Sequence, residues 1–135
     1  SLYQESHADK IDRLAAAAGI VQDVLIEVND GESNKQGVAD ENLIDMLTHC
    51  AALEHVRVKG LMIMAPIGDA SVARATFKRL RELRDAAQSD LAARGIDMEL
   101  HELSMGMSND YSEGIGEGAT MVRIGRAIFS ADYAG

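Results

Sequence analysis

The chain has 135 residues, 47% of them hydrophobic and only one a proline, which fits one folded domain and excludes a disordered chain. Thirteen basic against 22 acidic residues give a net charge of -9, a field that repels nucleic acid and anionic membrane, so any bound phosphate must be attracted by a local cluster. No apolar run approaches the roughly 18 to 20 residues that cross a bilayer, SLYQESHADK carries no leader pattern, and Cys50 has no second cysteine to pair with, so a cytoplasmic protein is expected.

Apolar runs alternate with helical patterns along the chain. Ile11, Leu14, Ala15 and Ala18 repeat at helical spacing, with Gly19 as the stop. A first strand is expected from Val24 to Asn29, setting Leu25, Glu27 and Asn29 opposite Val24, Ile26 and Val28. VNDGESNKQGV, which could be a ligand loop because Asn29 ends an interior face, reads rather as a polar turn leading to Asp40, which is expected to cap a helix bearing Leu43, Ile44, Leu47 and Ala51 on one face. A second strand runs from Val58 to Met64. The longest helix starts near Asp69, carries Val72, Thr76, Phe77, Leu80, Leu83, Ala87 and Leu91, and ends at Gly95. A third strand covers Glu99 to Ser104. A short helix follows Ser108 or Asp110 and stops around Gly114, Gly116 and Gly118, and a fourth strand runs from Met121 to Gly125.

This α-β-α-β-α-β-α-β order with short connections predicts right-handed crossovers and a parallel sheet, either a barrel or a doubly wound sheet. One face of each strand is apolar while the other carries polar or small residues. That asymmetry suits the wall of a (β/α)8 barrel, of which four strands are half.

Two segments at strand ends bear chemistry, LSMGMS at 103 to 108 and VRIGRAIF at 122 to 129. Ser104 supplies a hydroxyl donor, and Gly106 beside it permits an unusual backbone angle. Gly125 allows close backbone approach, the residues after it can open a short helix whose N-H groups attract an anion, and Arg126 adds a positive charge. On neighbouring strands these segments would form one phosphate-binding face. Arg123, charged within an apolar strand on the interior side, needs a partner. A ligand is one candidate, and an ion pair with Glu27, Glu99 or Glu102 is the other. His7, His49, His55 and His101 show no metal-ligand spacing and read as surface groups, although His101 between Glu99 and Glu102 has the elements of a proton shuttle. The methionines read as core filling, with Met105 and Met107 set apart by their place at the site.

VLIEVNDGESNKQGV, VKGLMIMAP, LSMGMSND and MVRIGRAIF, in this order and spacing, closely resemble the pyridoxal phosphate homeostasis protein family, whose members are single-domain barrels related to the N-terminal domain of alanine racemase. The resemblance covers essentially the whole chain. It implies an α/β fold, the second half of a TIM barrel of the alanine racemase N-terminal-domain type, with residues 1–135 forming the C-terminal half of one barrel domain. It further implies a protein that binds pyridoxal 5'-phosphate, has little or no enzymatic activity and helps balance vitamin B6 and amino-acid pools. By position, Ser104 would bind the cofactor phosphate, the backbone of Gly125 and Arg126 would complete the cradle, Met105 would lie near the ring, and Arg123 would face the pyridine nitrogen. There a fixed cation disfavours ring protonation and weakens the electron sink.

The family lysine that forms the Schiff base lies on the first barrel strand, and that strand and the next three are expected to precede Ser1. Lys10 and Lys78 fall on helices, Lys59 at the wrong end of its strand and Lys35 in a loop, so none replaces it. Arg126 stands where many members have threonine, and Ser130 where glycine is usual. The implied partners are the cofactor and, for the open sheet, the absent N-terminal half or a second copy. Two other functions fit parts of the pattern. A pyridoxal-phosphate-dependent racemase would need a second base, for which Tyr3, Tyr111 and Tyr133 offer no clear candidate. A sugar-phosphate barrel enzyme would use the same two loops on a substrate.

Overall fold

A computed structural model of the chain describes residues 1–31, 36–64, 70–107 and 121–123. Helix α1 spans Glu5–Ala18 and leads into strand β1, Gln22–Glu27. A 3-10 turn over Asp40–Asn42 runs directly into α2, Leu43–Ala51. Strand β2 is Val56–Met62, α3 is Ala70–Ala93, β3 is Glu102–Met107 and β4 is Met121–Arg123.

The four strands pair in parallel in the order β1-β2-β3-β4. A doubly wound sheet reverses its strand order at a switch point, whereas strictly sequential order is that of a barrel wall. Leu2 adds a further strand position on the free side of β1. It bridges to Ile26, donating its N-H to the Leu25 carbonyl at 2.9 Å and accepting from the Glu27 N-H at 2.8 Å.

The core lies between the sheet and its helices. Ile26, Leu61, Ile63 and Leu103 present the outer sheet face to Leu47 and Cys50 of α2 and to Phe77, Leu80 and Leu91 of α3, all of them buried. Their packing supplies the apolar burial that holds helices to sheet. Several expected core positions shift. On α1 the inward side is Ala8 and Ala15 with Ile11 half-buried, while Leu14 is 61% exposed, with Ile20 and Val21 exposed as well. On α2, Met46 and Cys50 fill the core rather than Ile44 and Ala51, and on α3 Val72 faces outward. Helical spacing alone locates a stripe to within one residue either way, and the neighbouring helix decides which edge of it is covered.

Strand limits also move. Strands β1 and β2 each begin two residues before the expected start, and β3 begins at Glu102, leaving Glu99 to His101 ahead of it. The expected helix after Ser108 or Asp110 lies outside the described residues, as do Asp69, the glycines from 114 to 118, and Ile124 and Gly125.

Lys59 is the extra residue of a bulge in β2. Val24 pairs with Val58, but Leu25 pairs with Gly60. One inserted residue reverses the alternation relative to β1, so Val56 and Val58 before it and Leu61 and Ile63 after it can all be buried. Beyond the bulge, Gly60 packs against β3 so closely that a Cβ there would stand 1.8 Å from the Glu102 carbonyl oxygen. Only glycine fits.

Candidate functional site

The register builds a row of positions across the sheet. Glu27 pairs with Met62, Met62 with Ser104, and Ser104 with Met121. Paired residues on parallel strands project to the same side, and the outward neighbours Ile26, Leu61 and Leu103 are buried against helices, so this row belongs to the interior face. It closes β1 and β2 at their C-terminal ends, where α/β barrels carry their chemistry, then crosses β3 at its third residue and meets β4 at its first. Glu27, Met62 and Ser104 are each 4 to 5% exposed.

Ser104 is buried on the interior side, as the third of the six residues of β3 rather than at the strand end where it was expected. Its carbonyl accepts from the Ile63 N-H at 3.1 Å, which ties it to β2. Between Ser104 and Met107 strand β3 contains one more residue than β4 has between Met121 and Arg123, a second irregularity that falls on Met105 and Gly106. Arg123 lies opposite Met107 on the strand adjoining Ser104. The described parts of the two expected segments, up to Met107 and up to Arg123, thus stand on neighbouring parallel strands. For Met105 and Arg123 the backbone is described and the side chain is not, and Gly125 and Arg126 lie outside the described residues.

The loop after β1 is more than a polar turn. Val28 bridges to Val38, the Asn29 N-H donates to the Val38 carbonyl at 2.9 Å, and the Val38 N-H donates to the Glu27 carbonyl at 2.8 Å. Asn29 works from its side chain as well, donating through Nδ2 to the Gln36 carbonyl at 2.9 Å and accepting from the Gly31 N-H at 2.7 Å. Gly37 sits at φ +98, where a Cβ would meet the Asn29 nitrogen at 2.5 Å. From α3, Arg79 donates to the Asn29 carbonyl at 2.8 Å and also bonds the Asp40 carboxylate. Asp40 is not the N-cap of either element, contrary to expectation: Ala39 precedes the 3-10 turn and Asn42 precedes α2. The Asp40 charge is spent on Arg79, 39 residues away, a partner that local sequence rules cannot foresee.

Glu27 was expected only as a salt-bridge partner and Asn29 only as the end of an interior face, and Arg79 had no expected role at the strand end. A readable signal existed for Glu27, a carboxylate set among apolar residues on the interior side of a strand. None existed for Arg79 on its helix.

The histidines stand apart from this row. His49 Nε2 lies 2.7 Å from Asp9, and the His55 N-H donates to Asp12 at 2.8 Å, so both tie α1 to α2 and the segment after it. His101 meets Glu99 at 2.7 Å, both side chains more than half exposed and ahead of β3, which favours the surface reading over a shuttle. Cys50 is buried, and burial together with the nearby charges of Asp9 and Glu5 pushes its thiol up to about 11. It remains protonated and unreactive at neutral pH.

The sequence pattern of the family described as alanine racemase, N-terminal domain, matches residues 1–132. The chain belongs to that family. Its fold is accordingly the second half of a TIM barrel of the alanine racemase N-terminal-domain type. The chain is 45% identical over 131 residues to the pyridoxal phosphate homeostasis protein of Aquifex aeolicus, covering 96% of this chain and 55% of that protein. It is 36% identical over 130 residues to the protein of the same name from Deinococcus radiodurans, covering 96% and 56%. Among solved structures it is similar to PipY of Synechococcus elongatus PCC7942 with PLP bound, at a TM-score of 0.78 and 29% identity over 91% of this chain and 56% of that one. The chain spans about half the length of the curated relatives it matches. Among the described residues no helix is long and apolar enough to cross a membrane.

Proposed function

We propose that this chain is the C-terminal half of one barrel domain that binds pyridoxal 5'-phosphate, and that the whole protein acts in vitamin B6 and amino-acid homeostasis without catalysing a reaction of its own. The observation that carries the reading is Ser104, a hydroxyl buried on the interior side of β3, with β4 paired beside it. A donor in that position suits a phosphate. The names of the curated relatives and the PLP-bound structure of PipY support the choice of ligand.

In this reading Ser104 donates to the phosphate, and the backbone at Gly125 and Arg126 completes the cradle, with the Arg126 charge drawing the anion toward a chain whose net charge is -9. Met105 borders the ring. Arg123, permanently charged, keeps a proton off the ring nitrogen. When bound, the group supplies an aldehyde that condenses with amines and an electron-withdrawing ring. The lysine that attaches it belongs to the half of the barrel outside these 135 residues. Cytoplasmic location is part of the proposal and is supported by the unpaired Cys50.

The test is to titrate the full-length protein with pyridoxal 5'-phosphate. Visible absorbance that saturates at one equivalent and is lost on borohydride treatment is the expected result, and no binding would overturn the reading. Alanine racemisation at enzymatic rates by the same protein would overturn its non-catalytic part.

A further inference from the structure

Glu27 brings a carboxylate that the phosphate reading leaves unused. It is 5% exposed, and a charge so far withdrawn from water is costly unless it is paired. Its polar contact among the described residues is Gln36 Nε2 at 3.5 Å, the long limit of a hydrogen bond and one that brings no positive charge. The neighbours on its own face do not help. Leu25 and Met62 have no donor, and Asn29 has its amide committed to the Gln36 carbonyl and its oxygen to the Gly31 N-H. The loop that brings Gln36 to this carboxylate is itself anchored from α3 by Arg79.

Glu27 and Ser104 occupy one register row, with Met62 between them. Two strand spacings separate their backbones by about 10 Å. That distance takes a single ring with a phosphate on one arm and a donor on the next, plus one hydrogen bond at each end. A buried carboxylate prefers a cationic donor over a neutral one, because only the cation offsets its charge.

We propose that Glu27 binds the ammonium group of an amine-bearing ligand whose phosphate lies at Ser104, so that the site selects the amine form of a phosphorylated pyridine. This rests on the pocket reading given above. One carboxylate oxygen stays oriented by Gln36, and the other receives the ammonium.

Pyridoxamine 5'-phosphate and pyridoxine 5'-phosphate differ only in an amine against a hydroxyl at the arm in question, and neither can bond covalently to a lysine. Their dissociation constants are to be measured by calorimetry near pH 7 on the full-length protein and on Glu27→Gln, which keeps shape and removes charge. The wild type is expected to favour the amine by about tenfold or more. Glu27→Gln should bring the two affinities within about twofold of each other, with the alcohol bound as in the wild type. Equal affinities in the wild type would overturn the proposal whether or not the variant folds. So would an unchanged ratio in the variant, or an equal loss for both ligands. If the wild type binds neither ligand nor pyridoxal 5'-phosphate, the pocket reading itself has failed.

Discussion

Arg79 on α3 donates from Nη2 to the backbone carbonyl of Asn29 at 2.8 Å, joining the longest helix to the end of β1. The same guanidinium bonds the Asp40 carboxylate, so one side chain fixes both the start and the finish of the loop between β1 and α2. That loop carries Gln36 to Glu27, and its shape sets how the interior carboxylate is presented.

Replacing Arg79 with alanine should therefore loosen the loop and strand Asp40 without its partner. With two charge-assisted bonds lost from a half-buried position, the expected cost is about 1 to 3 kcal/mol. Urea denaturation of the full-length protein measures it. Lysine at this position should recover only part of the loss, because an ammonium cannot reach two acceptors with the planar fork of arginine.

Gly60→Ala tests the close contact between β2 and β3. The added Cβ would meet the backbone oxygen of Glu102 at 1.8 Å, and no side-chain rotation relieves a clash with backbone. The strands must separate or the register must slip, at a cost of about 3 kcal/mol or more. A soluble variant with an unchanged denaturation midpoint would contradict the described pairing.

Ser104→Ala addresses the phosphate assignment. Losing one donor to a phosphate oxygen should weaken inorganic phosphate and pyridoxal 5'-phosphate alike, by about tenfold. Thermal stability should change little, since the substitution removes one hydroxyl and adds no bulk. Titration by calorimetry, paired with a melting curve, distinguishes loss of the donor from loss of the fold.

Cys50 predicts a pH dependence. Its thiol is pushed up to about 11 in the folded protein, from an ordinary value of 9.0, by burial and then by Asp9 and Glu5. A raised folded value means that the unfolded chain loses its proton first as pH rises. The contribution to stability is complete below the unfolded value and disappears as pH climbs through about 9 to 11, a change of order 2 to 3 kcal/mol. The stability gap between the wild type and Cys50→Ala should accordingly be widest near pH 7 to 8 and shrink toward pH 11. Denaturation curves for both proteins across that range give the answer, and a gap independent of pH would contradict the burial of the thiol.

The alternation of strands and helices was legible because buried faces impose a period on the sequence, as in Ile26 with Val28 and in Phe77, Leu80, Ala87 and Leu91. The end of β3 was not legible: Ser104 was expected to close its strand, but pairing with β2 and β4 carries the strand on to Met107 and leaves Ser104 as its third residue.

Chain order and local chemistry by themselves determined a parallel sheet, its helices and the candidate phosphate segments. Tertiary structure alone decided that Lys59 is a bulge residue, that Asp40 answers to Arg79 instead of capping its own helix, and that Glu27 shares a row with Ser104. Periodicity and capping act over a few residues and are written in consecutive letters. Register, bulges and charge pairing depend on which strand or helix is brought alongside, and two segments that meet in space leave no mark in the sequence between them.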